Sequence, residues 1–353
     1  MSGGRKDYDF DAVEPNTSDP SAAFEAMRAK MPARDLAIME RLDILETVYV
    51  ECGRDKVLLE TFGNFMRKYL TRKAQRRKHS NVFFVTGPSG AGKTEAVERL
   101  LREYPALQPE RKSYGLVRRY VSISLQGYVI PRILAENIMV EAGHPIAKAG
   151  RGDAWNQLSG ALMKRGVSLV HIDETQHIVK DKGREGENEE LANAIKGAAN
   201  SPTWPIAFVL SGLPRILKLP IDDEQFERRS RWVDFPDLNM DTQRMLVVRI
   251  LQKMTKAVGM GIGNMGETDM PERLAHATRH RYARVCEGVV EAIHTALDND
   301  LRTTVLTREH FSQAWTNQTR APGVKLYNPF EVDDWASLPQ GSYLGKPGDE
   351  VNG

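Results

Sequence analysis

Residues 87–94 read GPSGAGKT and directly follow the apolar run NVFFVT, which predicts a short buried strand that ends in a glycine-rich turn. A turn of this kind points successive backbone N–H groups at a phosphate, while Lys93 reaches the terminal phosphates and the Thr94 hydroxyl binds Mg²⁺. The next residues, EAVERLLREY, place apolar side chains on one face of a helix, whose positive N-terminal end faces the same phosphates. We therefore expect ATP and Mg²⁺ to be bound here, by Gly87, Pro88, Ser89, Gly90, Ala91, Gly92, Lys93, Thr94 and Glu95.

A second apolar run, VSLVHIDE at 167–174, predicts a strand that carries Asp173 and Glu174 to its C-terminal end. In a parallel sheet this end lies beside the glycine loop, so Asp173 is the expected Mg²⁺ partner of Thr94, and Glu174 is placed to polarise an attacking water. Two acids at a strand end are also typical of a polar cap, and the glycine loop upstream favours the functional interpretation. His171, inside the strand, is expected to be a packed or hydrogen-bonded core residue.

Two further polar groups follow the predicted strands. Ser211 ends the run IAFVLSG, where its hydroxyl either contacts the terminal phosphate or its attacking water, or begins a turn with Gly212. The run FERRSRW carries Arg228, Arg229 and Arg231. One of Arg228 and Arg229 is expected to reach the γ-phosphate held by a neighbouring subunit, and a solvated charged face is the alternative.

A third group of arginines lies in RHRYARV, at the start of a predicted helix. Arg281 or Arg284 can reach the nucleotide from a helical domain, which would couple the position of that domain to the bound phosphates. Ordinary surface charge is the alternative interpretation for both.

The spacing of apolar residues divides the chain into five regions. Residues 1–30 are polar and expected to be disordered, and 31–70 form a helical lead-in. Strands alternate with helices over 71–236, which predicts a parallel sheet between helices, and 237–320 form a small all-α lid. The remaining 321–353 are rich in Pro, Gly and acidic residues and are expected to be a flexible tail.

The composition is that of a globular protein, with 41% hydrophobic and 27% charged residues. The net charge of +2 excludes a polycation, so any nucleic-acid surface must be a local patch. Cys52 and Cys286 are far apart in sequence and are expected to be reduced thiols. No apolar run approaches membrane-spanning length and no secretion signal is recognisable, so we expect a cytoplasmic protein without membrane contact.

Taken in order, these elements resemble the AAA+ ATPases. They are the loop at 87–94, the acids ending at Glu174, the polar strand end at Ser211, the arginines at 228–231 and the helical lid. The resemblance covers about 60–320 and implies a P-loop AAA+ α/β core followed by an all-α lid domain, with Mg²⁺-dependent ATP hydrolysis.

Within AAA+, the chain resembles the TniB/TnsC group of transposition regulators, which are related to MuB. The residues that carry this resemblance are IDETQHI with His177, the helical lead-in directly before the loop, and YNPF at 327–330. The resemblance implies a protein that assembles into rings or filaments on duplex DNA in its ATP state and recruits a transposase, often with a target-selecting protein.

Two basic segments are consistent with DNA binding. RKYLTRKAQRRKH at 67–79 and RKSYGLVRRY at 111–120 suit contacts with the phosphate backbone rather than with bases, and solubilising charge is the alternative. Loops at 111–119 and 126–132 are the expected DNA surface.

Two hypotheses of different classes follow. The first is a DNA-dependent, oligomeric ATPase that selects targets for a transposase. The second is a nucleotide-gated scaffold of another pathway, such as secretion or signalling, with negligible turnover. A metabolic kinase is disfavoured, because a helical lid and an arginine group follow the core where a kinase needs an acceptor pocket.

Overall fold

The computed structural model describes residues 20–71, 81–113, 115–144, 154–179, 185–221, 227–228, 230–318 and 327–341. Its helices are α1 (Pro20–Arg28), α2 (Ala33–Glu46), α3 (Gly53–Tyr69), α4 (Lys93–Glu103), α5 (Pro131–Glu141), α6 (Ala154–Arg165), α7 (Glu185–Ala199), α8 (Lys218–Ile221), α9 (Met240–Ala257), α10 (Met270–Ala277), α11 (Tyr282–Asn299) and α12 (Arg308–Gln318). Its strands are β1 (Val82–Thr86), β2 (Glu110–Lys112), β3 (Gly115–Val117), β4 (Tyr120–Ser124), β5 (Leu169–Asp173), β6 (Ala207–Gly212) and β7 (Ser230–Asp234).

Five strands form one parallel sheet in the order β4-β5-β6-β1-β7. All residues of β1, β5 and β6 are buried, as expected for strands that helices cover on both faces. The register pairs Thr86 with Gly212 and Ile172 with Leu210, so the C-terminal ends of these three strands lie side by side. The three strands predicted from the runs NVFFVT, VSLVHIDE and IAFVLSG are confirmed as β1, β5 and β6, with end points shifted by at most two residues.

Alternate residues of each strand belong to two different hydrophobic cores, one on each face of the sheet. Phe83 and Val85 of β1 face α3 and α4, whereas Phe84 of β1 and Leu210 of β6 face α5, α6 and α7. The predicted amphipathic helix after the glycine loop is confirmed as α4, and its apolar face lies in the first of these cores. The sheet is therefore packed on both faces, and the polar side chains lie at the ends of its strands.

A third core lies within the helical region after residue 236. Helices α9 to α12 pack around Val247, Val289 and Ile293, as the sequence pattern predicts for a lid domain. Helix α2 also packs here, through Ile38 and Leu45, although it precedes the sheet in the chain. The helical lead-in is therefore divided, because α3 packs against the sheet while α2 packs against the lid.

The segment 327–341 lies against the lid. Phe330 is buried against Phe311, with ring centroids 5.6 Å apart, and Arg273 donates to backbone carbonyls of the segment. An aromatic ring and a buried cation thus hold these residues on the lid, within the tail that was expected to be flexible over 321–353. The rest of that tail lies outside the described residues.

Other elements differ from the sequence expectations. Residues 20–28 form α1, within the region expected to be disordered, and the basic segment at 111–120 overlaps the β2–β3 hairpin. Asn239 caps α9 by accepting from the backbone N–H of Asp241. In the part of the chain that the structure describes, no helix has the length and apolarity needed to cross a membrane.

Candidate nucleotide site

The glycine loop needs glycine at both of its ends. Gly87 leaves β1 with φ of +152°, and a Cβ there would lie 2.5 Å from the carbonyl oxygen of Phe235. Gly92 adopts a left-handed conformation, with φ of 81° and ψ of 31°, and forms the N-cap of α4. L-residues rarely adopt either conformation, so the sharp turn from β1 into α4 depends on these two residues. The predicted strand–loop–helix order is observed.

Lys93 points back into the loop. Its Nζ donates to the backbone oxygens of Gly87 and Pro88, both at 2.9 Å, and the residue is buried. Burial lowers the pKa of Lys93, while the carboxylates of Glu174 and Asp173 act in the opposite direction. The loop therefore holds a poorly solvated cation at its centre, which favours an anionic partner.

Asp173 is the centre of a buried hydrogen-bond chain. Thr94 Oγ1 donates to Asp173 Oδ2 at 2.6 Å, and Ser211 donates to the other oxygen. His171 Nε2 lies 2.8 Å from Ser211 Oγ, and its Nδ1 lies 2.8 Å from Ser122 Oγ. Since the Ser211 hydrogen is given to Asp173, Ser211 accepts from Nε2–H, and Nδ1 accepts from Ser122. Every step of this chain thus has a defined direction.

His171 is fully enclosed, as the sequence suggested for a core histidine. Burial lowers its pKa to about 4, against a smaller opposing effect of Asp173. The neutral form that this pKa favours is the one that the hydrogen-bond chain requires. The sequence missed Ser122, whose only signal is that it lies opposite His171 in the β4–β5 register.

Glu174 follows β5 in a left-handed backbone conformation, with φ of 53° and ψ of 34°. This conformation costs a residue with a Cβ about 1 kcal/mol, so the surrounding structure must impose it. The Glu174 carboxylate accepts from Gln176 Nε2, and His177 Nε2 lies 4.0 Å from the same oxygen. About 41% of the Glu174 side chain is exposed, so the carboxylate is accessible at the strand end.

The lid touches the glycine loop through the start of α11. Arg281 Nη1 donates to the backbone oxygen of Ser89 at 2.8 Å. The backbone N–H of Ala283 donates to the backbone oxygen of Gly90 at 2.9 Å. A Cβ on Gly90 would lie 2.8 Å from Cγ of Arg284. The structure therefore brings both predicted lid arginines to the loop.

Arg54 was not predicted, and it joins three elements. From the start of α3 it donates to the backbone oxygen of Ala91, and its guanidinium lies 3.8 Å from the ring centroid of Tyr282 and 4.7 Å from that of Phe235. Its Nε and Nη2 are buried and have no partner among the described residues. Nothing in the sequence near Arg54 marks it, because its role depends on a contact across 37 residues.

In sequence, the arginines at 228–231 lie at the start of β7. Arg228 is exposed, and Arg231 is part of β7, where its Nη1 donates to the carbonyl of Ser230. Arg229 lies outside the described residues. The sequence missed β7, which pairs with β1 and ends at Asp234, whose carboxylate accepts from Thr86 at 2.8 Å. The apolar residues Val233 and Phe235, at alternate positions, were the feature of the sequence that could have predicted this strand.

A cleft of about 1070 Å³ opens beside Gly92 and Glu95. Its other walls are the outer side of α4, the segment between α2 and α3, and the facing sides of α9 and α11, including Val48, Ala257 and Cys286. Its size is that of a small-molecule site. The glycine loop, the strand-end acids and the lid arginines thus meet at one end of the sheet, and the cleft borders the loop at Gly92.

This fold and site define a P-loop α/β domain with a helical lid. In sequence, residues 75–219 match the family described as "AAA domain". The chain therefore contains an AAA-type ATPase domain. No curated protein matches the sequence significantly.

Solved structures agree with this assignment. The Aeropyrum pernix ORC2 protein in its ADPNP–ADP complexes is similar with a TM-score of 0.55 and 14% identity, over 80% of this chain and 72% of that one. Its ADP form gives a TM-score of 0.50 and 13% identity, over 76% and 68%. Drosophila ORC bound to DNA gives 0.48 and 15%, over 86% and 77%. The family match and the similarity to the ORC2 protein confirm the predicted P-loop AAA+ fold.

Proposed function

We propose that this protein binds ATP with Mg²⁺ and hydrolyses it to ADP and phosphate in the cytoplasm. The convergence of the glycine loop, the Thr94–Asp173 pair, Glu174 and the lid arginines at one strand edge carries the proposal. The nucleotide complexes of the structurally similar Aeropyrum pernix ORC2 protein support the choice of ligand.

The residues fit a magnesium–nucleotide complex. Thr94 Oγ1 and an Asp173 oxygen are hard oxygen donors, and Mg²⁺ is commonly held by one or two such groups together with phosphates and water. Among the residues that the structure describes, no cluster of three or more His, Cys, Asp or Glu could hold a metal alone. When bound, Mg²⁺ neutralises charge on the phosphates that the loop holds.

Each remaining residue has a distinct role in the proposal. Lys93 exchanges its two loop carbonyls for phosphate oxygens, and Glu174 orients the attacking water and accepts its proton. Ser211 keeps Asp173 oriented, so its effect on the phosphate is indirect. Arg281 and Arg284 transmit the state of the loop to the lid. The cleft beside Gly92 takes the nucleoside.

A neighbouring subunit completes the site in this proposal. Arg228 is exposed on the side of the sheet away from β4, where it can reach a second copy, and Arg229 is the other candidate. Mixing an Arg228→Ala subunit, intact at its own loop, with a Lys93→Ala subunit should restore hydrolysis at the mixed interfaces. Failure to restore any activity contradicts the assignment of Arg228.

The test of nucleotide chemistry uses the full-length chain. Wild type should bind a fluorescent ATP analogue with Mg²⁺, and Lys93→Ala should lose this binding. Glu174→Gln should bind with an affinity within about threefold of wild type, yet hydrolyse about 10²-fold or more slowly, the usual size of a general-base effect. An inability of Glu174→Gln to bind ATP contradicts the role given to Glu174.

We further propose that the protein assembles on duplex DNA and acts as a target-selecting adaptor for a transposase, in the manner of the TniB/TnsC group. The β2–β3 hairpin offers a DNA surface, because Arg111, Arg118 and Leu116 are exposed on it. Lys112 and Arg119 share Glu110 in ion pairs, whereas Arg111 and Arg118 have no ion pair within the described ranges. Residues 72–79 of the first basic segment lie outside those ranges.

DNA binding has a direct test. Arg111→Ala with Arg118→Ala should weaken binding to duplexes of any sequence and reduce the dependence of affinity on salt, since each phosphate contact releases counterions. Arg302→Ala is the matched control, because this exposed arginine of the lid is paired with Asp300. DNA-stimulated hydrolysis supports the adaptor role, and negligible turnover with or without DNA favours a nucleotide-gated scaffold instead.

A further inference from the structure

Gln176 makes two hydrogen bonds that only an amide can make together. Its Nε2 donates to Glu174 Oε2, and its Oε1 accepts from the backbone N–H of Leu213 at 3.0 Å. A carboxylate at this position could not donate to Glu174, and an ammonium could not accept from Leu213. The side chain is buried, with 4% exposed, so both bonds are shielded from water.

The second bond connects Glu174 to the end of β6. Leu213 follows this strand directly, and the preceding residue, Gly212, has no side chain at the point where the Gln176 amide packs. A Cβ on Gly212 would overlap Oε1 of Gln176 and approach the backbone nitrogen of Thr175 to 3.3 Å. The amide is therefore fixed from two sides by the backbone.

Glu174 has few other constraints. Its backbone is in the left-handed region, its carboxylate is partly exposed, and His177 lies 4.0 Å away. Among the described residues, the Gln176 amide is the hydrogen-bond partner that fixes the carboxylate. Ser211, the residue before Gly212, binds Asp173 in the same strand end. Asp173, which ends β5, and Glu174, which follows it, are thus both tied to the end of β6.

We propose that Gln176 is a positioning residue that orients the Glu174 carboxylate and ties it to the end of β6. This inference rests on the proposed ATP hydrolysis and goes beyond it by assigning the group that holds the base. The bond to Leu213 holds the amide, and the amide in turn holds the carboxylate. Movement of either strand end would therefore change the direction in which Glu174 points.

Two variants separate the two bonds. Gln176→Glu retains the length and the acceptor for Leu213, but it loses the donor and places a negative charge beside Glu174. Gln176→Met retains the length and loses both bonds. In single-turnover assays with saturating ATP and Mg²⁺, each variant should hydrolyse about 10- to 100-fold more slowly than wild type. The Kd for the fluorescent ATP analogue should stay within about threefold.

A double-mutant cycle distinguishes positioning from a general structural effect. In a Glu174→Gln background, adding Gln176→Glu should change the residual rate by less than about twofold, because the carboxylate to be oriented is already gone. If the rate loss of the double variant equals the product of the two single losses, the proposal is overturned. A wild-type cleavage rate in Gln176→Glu overturns it as well. Circular dichroism melting verifies that each variant is folded, and Gln176→Met replaces Gln176→Glu in the cycle if the latter does not fold.

Measurements on the wild type distinguish failure of the role given to Gln176 from failure of the proposed ATP hydrolysis. Wild type that cleaves ATP, together with an unchanged rate in Gln176→Glu and Gln176→Met, refutes the role of Gln176 and leaves the proposed function intact. Wild type that does not cleave ATP refutes the proposed hydrolysis, and the positioning role with it.

Discussion

The buried His171 should make the protein sensitive to mild acid. Burial lowers the pKa of this imidazole from 6.5 to about 4, against a smaller opposing effect of Asp173. Its two hydrogen bonds to serines are those of the neutral ring. Between these two pH values the unfolded chain binds a proton that the folded chain does not. Unfolding is therefore favoured as the pH falls from 6.5, and the effect levels off below about 4.

The size of the effect follows from the shift. The difference between 6.5 and about 4 is about 2.5 pH units, which corresponds to about 3 kcal/mol at about 1.4 kcal/mol per unit. Between pH 7.5 and pH 5, only the part from 6.5 to 5 applies. We therefore expect this residue to remove about 2 kcal/mol from the free energy of unfolding over that interval.

The assay is urea unfolding at both pH values, followed by tryptophan fluorescence. Samples contain EDTA and no nucleotide, so that metal binding to Asp173 does not contribute. His171→Gln is the control, because it removes the imidazole while its amide can still bond to Ser122 and Ser211. Wild type should lose about 2 kcal/mol more than this variant between pH 7.5 and pH 5. Equal losses in the two proteins, within about 0.5 kcal/mol, would refute the reasoning.

Three further predictions concern the loop, the docked segment and the cleft. Gly87→Ala should destabilise the fold by about 2–4 kcal/mol in urea unfolding, because its Cβ meets the Phe235 carbonyl. The control Gly197→Ala, in open space on α7, should stabilise by up to about 1 kcal/mol, and equal effects contradict the argument. Arg273→Ala should destabilise by about 2–3 kcal/mol and expose 327–341 to limited proteolysis, since it removes the donor to two carbonyls of that segment; an unchanged digestion pattern contradicts this. Burial raises the pKa of the Cys286 thiol to about 12, so alkylation at pH 8, followed by mass spectrometry, should be slow. ATP should slow it further by filling the cleft, and alkylation that ignores ATP argues against the nucleoside position.

Local chemistry allowed the phosphate loop to be predicted from sequence. Gly87, Gly92, Lys93 and Thr94 are adjacent in the chain, and their function depends on conformations that their own residue types favour. Asp173 and Glu174 were predictable for a related reason, because a buried parallel strand delivers the residues that follow it to a known edge. Helix α4 was predicted from its apolar face, which is also a local property of the sequence.

Other features depended on contacts between distant parts of the chain. Arg54 contacts Ala91 and Tyr282 only when α3, the loop and the lid are packed together. The residues next to Arg54 in sequence do not predict these contacts. The tail segment holding Phe330 is polar overall, and a pocket on the lid makes it ordered.

The sequence by itself determined the loop, the alternation of strands with helices in the α/β region, and the acids at the strand end. The tertiary structure decided which partners hold those acids, because the register between β4, β5 and β6 places Ser122, His171 and Ser211 in one chain and Gln176 beside Leu213. Register is set by the packing of whole strands against helices on both faces. No single segment of the sequence contains that information.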